Sequence, residues 1–262
     1  MCPELFDLGP ISIKTYGFFV ALGFLAGIYY ISRQASRYFI SIETILDLCL
    51  YVLVSGLLGA RALYVALNWA FYRNNLVEIL FIWSGGLVLY GGVITALLAG
   101  IFYVKKKNLE FYKMLDLFTP AFFLGLAIGR IGCLSAGCCY GKPTTSLLGI
   151  VFTNQGSFAP LNVRLHPVQV YESLFCFLLF AGAHYLNNRE KKPDGAVFFV
   201  FLALYSGWRF FIEFFRGDDR GPVISGAISP SQFISIILML ISMGVLFYLW
   251  KKNSKPHSQT SA

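Results

Sequence analysis

The chain has 262 residues, of which 57% are hydrophobic and only 13% charged, with 26 Phe and a formal charge of +8. A mean hydropathy of +0.66 excludes a disordered chain, a small disulfide scaffold and a nucleic-acid-binding domain. The basic residues fall between long apolar runs, as in the loops of a membrane protein.

Seven spans are predicted, near 16–33, 44–66, 86–104, 115–134, 168–187, 196–215 and 231–250. Each has roughly the 18–22 residues that a ~30 Å hydrocarbon core requires. The fold class is an all-α integral membrane protein: seven transmembrane helices in a single domain over 1–252, with a small external head at about 135–166. The stretch Leu76–Trp83 is too short to span and reads as re-entrant or interfacial. Leu147–Phe152 suits a short strand, and the polar tail 253–262 reads as disordered and cytoplasmic. No cleavable leader is expected.

Orientation follows from the loops. Arg33, Arg37, Lys105, Lys106, Lys107, Lys113, Arg189, Lys191, Lys192, Lys251, Lys252 and Lys255 mark one side, twelve against six on the other. The richer side is cytoplasmic by the positive-inside rule, which puts the N-terminus outside and the C-terminus inside.

Gly23 with Gly27, and Gly125 with Gly129, have the spacing that lets helix backbones approach closely. Three arginines, Arg61, Arg130 and Arg209, lie within spans. A buried arginine costs ~2.5 kcal/mol or more. All three fall in the outer part of outward-running helices, which predicts a shared cavity near the external leaflet. Tyr16 begins the first span, and Tyr90 lies early in the third beside paired glycines. His166, Tyr171 and Glu172 open the fifth span; Tyr205 and Glu213 flank Arg209 at one-turn spacing. Cations at that level predict an anionic partner, and a phospholipid phosphate is the abundant one. These residues alone leave a lipid enzyme, a transporter and a lipid binder open.

Cys133, Cys138 and Cys139 form a C-x4-C-C cluster. Packing, a disulfide in an oxidising compartment and a metal site with His166 or Glu172 are three readings of it. The spacing is not itself a zinc signature, so no metal and no cofactor are assigned.

The ordered motifs Tyr16-Gly17, Trp83-Ser-Gly-Gly86, Gly91-Gly92, Gly129-Arg-Ile-Gly132, Gly137, Gly141, His166-Pro167, Gln169-Val-Tyr-Glu172, Arg209 to Arg216 and Ser229-Pro-Ser-Gln232 resemble the prolipoprotein diacylglyceryl transferases. The resemblance implies an enzyme of the bacterial inner membrane. Its substrates would be phosphatidylglycerol and the lipobox cysteine of a prolipoprotein, and glycerol 1-phosphate would be released. It implies catalytic roles for Arg130, Arg209, Tyr90 and Tyr16. Arg61, His166, Tyr171, Glu172, Tyr205 and Glu213 would bind substrate or support its pocket. The chain departs from that family's usual pattern at Tyr90, where the family has His, and at Cys133, Ala136 and Cys138, where it has Asn, Asn and Glu. These departures keep two further readings open: a paralogue with another lipid donor or acceptor, and a non-catalytic binder of anionic lipid.

Overall fold

The computed structural model describes residues 4–7, 12–81, 85–189, 192–218 and 228–253. The tail beyond Asn253, and Trp83 and Ser84 of the glycine motif, lie outside the described residues. In chain order the elements are β1 (Glu4–Asp7), β2 (Ser12–Lys14), α1 (Thr15–Gln34), α2 (Ile42–Leu67), the single turn α3 (Trp69–Tyr72), α4 (Leu89–Lys106), α5 (Phe111–Ala136), β3 (Ile150–Val151), β4 (Arg164–Leu165), α6 (Val168–Asn187), α7 (Ala196–Ile212) and α8 (Pro230–Asn253). Among the described residues, six helical stretches are long and apolar enough to cross a membrane: Thr15–Tyr38, Ile42–Leu67, Leu89–Lys106, Phe111–Ala136, Ala196–Phe215 and Pro230–Asn253. The expected fifth span forms as α6, 20 residues long, enough for about 30 Å, but it carries Gln169, Glu172 and His184.

The third helix starts later than the sequence pattern suggests. Gly85 and Gly86 have φ of +90° and +73°, outside helical space, so α4 begins at Leu89. The stretch from Leu76 forms a 3-10 turn to Leu80. The predicted strand shrinks to the two residues of β3, paired antiparallel with β4.

The chain divides into two compact units, Met1–Tyr30 with Leu115–Ala262, and Ile31–Met114. In the second unit α2 packs on α4. A Cβ on Gly91 would meet the Gly59 carbonyl oxygen at 2.4 Å. Thr95 Oγ1 donates to the Ser55 carbonyl at 2.8 Å. Ser41 caps α2 by accepting from the Thr44 amide at 3.2 Å.

In the first unit, Gly23 of α1 faces Gly125 of α5 so closely that a Cβ on Gly23 would lie 2.8 Å from the Gly125 carbonyl oxygen. Gly27 faces Ala121, while a Cβ on Gly129 would meet nothing within 4 Å. Phe123, Cys176, Leu179, Ala183, Val197 and Phe201 form the apolar core joining α5, α6 and α7. The start of α7 is held by Asp116, which is 1% exposed. Its carboxylate accepts from the Gly195 and Phe198 amides, each at 2.9 Å, and pairs with Lys192 at 2.9 Å. Asp116→Ala removes both an amide acceptor and an ion pair. It is expected to lower stability by about 2 kcal/mol, read as a lower melting temperature in detergent; an unchanged melt would refute this capping role.

The head, residues 137–166, is zipped to the end of α7. The Lys142 amide donates to the Phe215 carbonyl at 2.8 Å, and the Gly217 amide to the Tyr140 carbonyl at 3.0 Å. Gly141 and Arg216 form an antiparallel bridge. Only glycine fits there: a Cβ on Gly217 would meet the Gly141 carbonyl oxygen at 2.7 Å.

Candidate active site

Four helix ends of the first unit converge on one carboxylate. Glu172 lies one turn into α6 and is 0% exposed. Arg130, six residues before the end of α5, sets Nε 3.0 Å from Glu172 Oε2 and Nη2 3.2 Å from Oε1. Arg209, near the end of α7, donates from Nη1 to Oε1 at 2.9 Å. Its Nη2 donates to Glu213 Oε2 at 3.0 Å and to Ser231 Oγ, at the start of α8, at 3.3 Å. At ~1.5 Å per residue, Arg130 and Arg209 sit within about 9 Å of their helix ends, at the same end of the unit.

A third cation, Arg216, completes the cluster. It is 5% exposed, bonds Asp218 through two nitrogens at 2.9 and 2.7 Å, and reaches Glu172 at 3.9 Å and Glu213 at 3.8 Å. Arg216 falls just past the sixth predicted span, 196–215, so the cost of an intramembrane charge does not single it out in the sequence. The spacing Arg209-x3-Glu213-x2-Arg216 carries the signal, because it puts all three on one helical face. Three guanidiniums against three carboxylates leave the resting cluster balanced, which is how cations persist among apolar helices. Arg130 Nη1 carries no hydrogen bond to a described residue, so one edge of its fork is open to an anion.

Tyr205 lies within electrostatic reach of Arg130 and Glu172 and packs its ring on Phe123 at 5.6 Å. Tyr16, 46% exposed at the start of α1, is in reach of Arg130 and of the three cysteines. His166 packs against Phe215 and Tyr171, ring centroids 5.3 and 6.5 Å away. Among the described residues its buried Nδ1 has no hydrogen-bond partner; Gln169 Oε1, Ser206 Oγ and Trp208 Nε1 are in the same condition. Unpaired buried polar atoms are costly, and all four lie within one turn of Glu172 or Arg209 along α6 and α7, or just before α6.

Arg61 and Tyr90 belong to the other unit. Arg61 is 5% exposed. It donates to the carbonyls of Ile79 at 2.9 Å, Glu78 at 2.6 Å, Gly85 at 2.8 Å and Gly86 at 3.2 Å. Its guanidinium thus ties the backbone at Glu78 and Ile79, and at Gly85 and Gly86, to α2. Tyr90 is the second residue of α4 and is 59% exposed.

The three cysteines also meet. Cys133, Cys138 and Cys139 place their sulfurs within 4.8 Å of one another, none of them in a disulfide. Hydrogen bonds from Cys133 and Cys138, and then Arg216 and Arg130, hold the Cys139 thiol below the usual thiol range. Hydrogen bonding to Cys133 and Cys139, with burial, pushes Cys138 up. Beside the ion cluster, an apolar groove of about 610 Å³ runs between α6, α7 and α8, lined by residues including Phe175, Leu204, Trp208, Met239 and Met243.

Residues 3–248 match the profile of the prolipoprotein diacylglyceryl transferases. A phosphatidylglycerol–prolipoprotein diacylglyceryl transferase of Clostridium tetani is 39% identical over 247 residues, covering 94% of this chain and 96% of its own. The Finegoldia magna protein of the same name is 38% identical over 247 residues, covering 94% and 95%. One from Dehalococcoides mccartyi is 33% identical over 260 residues, covering 98% and 97%. A multi-helix membrane fold, a buried arginine cluster and a match over nearly the whole length agree: the chain belongs to the prolipoprotein diacylglyceryl transferase family.

Proposed function

We propose that this chain transfers the diacylglyceryl group of phosphatidylglycerol to the lipobox cysteine thiol of a prolipoprotein, in the bacterial inner membrane, with its N-terminus outside. The observation that carries the reading is the Arg130–Glu172–Arg209 cluster, buried among apolar helices. Glu172 fixes two guanidinium forks in place before any ligand arrives, so no reorganisation is needed when charge develops.

In the reaction the acceptor sulfur attacks the glyceryl carbon that bears the phosphate. A C–S bond forms, the C–O bond breaks with its electron pair leaving on the phosphate oxygen, and the proton of the acceptor thiol is released to solvent. Arg130, through the edge its pairing with Glu172 leaves open, and Arg209, held beside it by the same carboxylate, stabilise the charge that develops on that oxygen. Tyr16, Tyr205 and Glu213 support the pocket, and His166 and Tyr171 line its approach from the head. Arg61 acts by holding the backbone at Glu78, Ile79, Gly85 and Gly86. The groove along Phe175 and Trp208 takes an acyl chain, since its wall is apolar and it opens between membrane helices.

The test is replacement of the resident transferase in a depletion strain, followed by lipoprotein mobility and radiolabelled lipid incorporation. Rescue by this chain, lost in Arg130→Ala, is expected. Failure to rescue with normal membrane insertion would overturn the reading. Leu204→Trp, which fills the groove, is expected to raise KM for phosphatidylglycerol several-fold while kcat changes little. A fall in kcat at constant KM would place the acyl chain elsewhere.

A further inference from the structure

The sulfur triad has no part in the chemistry so far. The geometry points to a binding site for a thiophilic divalent cation of the Zn²⁺ class, held by Cys133, Cys138 and Cys139, with a fourth position open to the acceptor thiol. The second half of that statement rests on the transferase reading; the first does not.

The distances suit it. Zn–S bonds of about 2.3 Å put tetrahedral sulfurs roughly 3.8 Å apart, and these three already lie within 4.8 Å of one another. Among the described residues the ligand-capable group is the cysteines alone. Glu172 is committed to arginines, so it is not the fourth ligand, and three protein ligands leave the open coordination typical of a catalytic metal.

The surroundings suit it as well. Cys133 lies on α5 one turn after Arg130. The Cys138 carbonyl accepts from Gln169 Nε2 at 2.9 Å, and Gln169 lies one turn before Glu172. Cys139 adopts a left-handed φ of +57°, and the Arg216 guanidinium lies within electrostatic reach of it. Binding releases three protons, Zn²⁺ + 3 RSH → Zn(SR)₃⁻ + 3 H⁺. The resulting anion is offset by Arg216 and Arg130, the two cations in electrostatic reach of the triad.

The chemical gain is at the acceptor. A free thiol with a pKa near 8.5 is only a few per cent thiolate at pH 7, whereas a coordinated thiol is deprotonated outright. The incoming cysteine releases its proton to solvent on entering the fourth position, Zn(SR)₃⁻ + R′SH → Zn(SR)₃(SR′)²⁻ + H⁺. As thiolate it then attacks the glyceryl carbon beside the arginines, with no change in oxidation state. The gain in thiolate is roughly thirtyfold.

The test uses the full chain, purified reduced in detergent and stripped of metal, with Co²⁺ and Zn²⁺ alone as probes. Expected are about one Co²⁺ per chain with thiolate-to-cobalt absorption, and its displacement by Zn²⁺. Binding at least tenfold weaker is expected in Cys133→Ser, Cys138→Ser and Cys139→Ser, but not in Cys49→Ser or Cys176→Ser. Melting curves without metal check that the serine variants fold. Absence of the absorption from a chain whose three thiols titrate as reduced overturns the site; so does equal binding by the triple serine variant, or recovery of two of the thiols as a disulfide. Transfer to a lipobox peptide is then compared with and without metal. A loss of at least tenfold on stripping, restored by Zn²⁺ while phosphatidylglycerol binding persists, supports thiol activation. Full transfer by the stripped chain overturns it. Metal binding in a chain that transfers nothing, loaded or stripped, supports the site and sinks the transferase reading.

Discussion

Glu172→Gln is expected to abolish measurable transfer and to lower the melting temperature by on the order of 10 °C. The carboxylate is fully buried and holds Arg130 at 3.0 Å and Arg209 at 2.9 Å. Glutamine keeps the shape but removes the charge and turns half of the acceptor edge into a donor facing guanidiniums. Breaking a buried ion pair from one side costs about 3–5 kcal/mol, because the partner charge stays behind. The loss has two readable parts: stability, from thermal unfolding in detergent, and kcat, from released glycerol phosphate. Glu172→Asp keeps the charge on a shorter stem and should recover more stability than rate. Wild-type melting and turnover in the glutamine variant would remove Glu172 from the centre of the site.

Arg130→Lys is expected to lose nearly as much activity as Arg130→Ala, on the order of 10²–10³ in kcat, with insertion and melting close to normal for the lysine variant. Arg130 spreads Nε and Nη2 over both oxygens of Glu172 and keeps its other edge for an anion. An ammonium is a point charge without a fork, so it can serve Glu172 or the phosphate but not both with good geometry. A lysine variant at half the wild-type rate would show that charge alone suffices. Phosphatidylglycerol binding, measured separately on detergent-solubilised protein, divides ground-state affinity from transition-state loss.

The helices were the most readable part of the sequence, because a hydrocarbon core imposes length and composition directly. The fifth expected span, 168–187, coincides with α6 (Val168–Asn187). The third misses its start, since two glycines with positive φ precede Leu89, and φ is not written in hydropathy. The sixth ends early as a helix, at Ile212, and tightens into a 3-10 turn through Phe215. In the head, the strand near Ile150 was visible, but its partner at Arg164–Leu165 was not, because pairing across that gap depends on tertiary contacts. Intramembrane charge drew attention to Arg130 and Arg209 for a physical reason that holds at any depth. Arg216 escaped it by lying just past the helix, where a basic residue is ordinary. For Arg61 the same rule found the residue but could not show that four backbone carbonyls hold its guanidinium.

The order in which the charges emerge has a consequence for biogenesis. Arg130 leaves the ribosome first, Glu172 follows about forty residues later, and Arg209 comes last. Until Glu172 arrives, the Arg130 cation of α5 lacks its anionic partner, a burden of ~2.5–3.5 kcal/mol against partitioning into lipid. Stable integration of α5 therefore waits for α6, and the two enter as a hairpin whose neutrality is provisional until α7 delivers the second arginine. Truncated nascent chains ending just before and just after Glu172 should differ in how firmly α5 resists alkaline extraction.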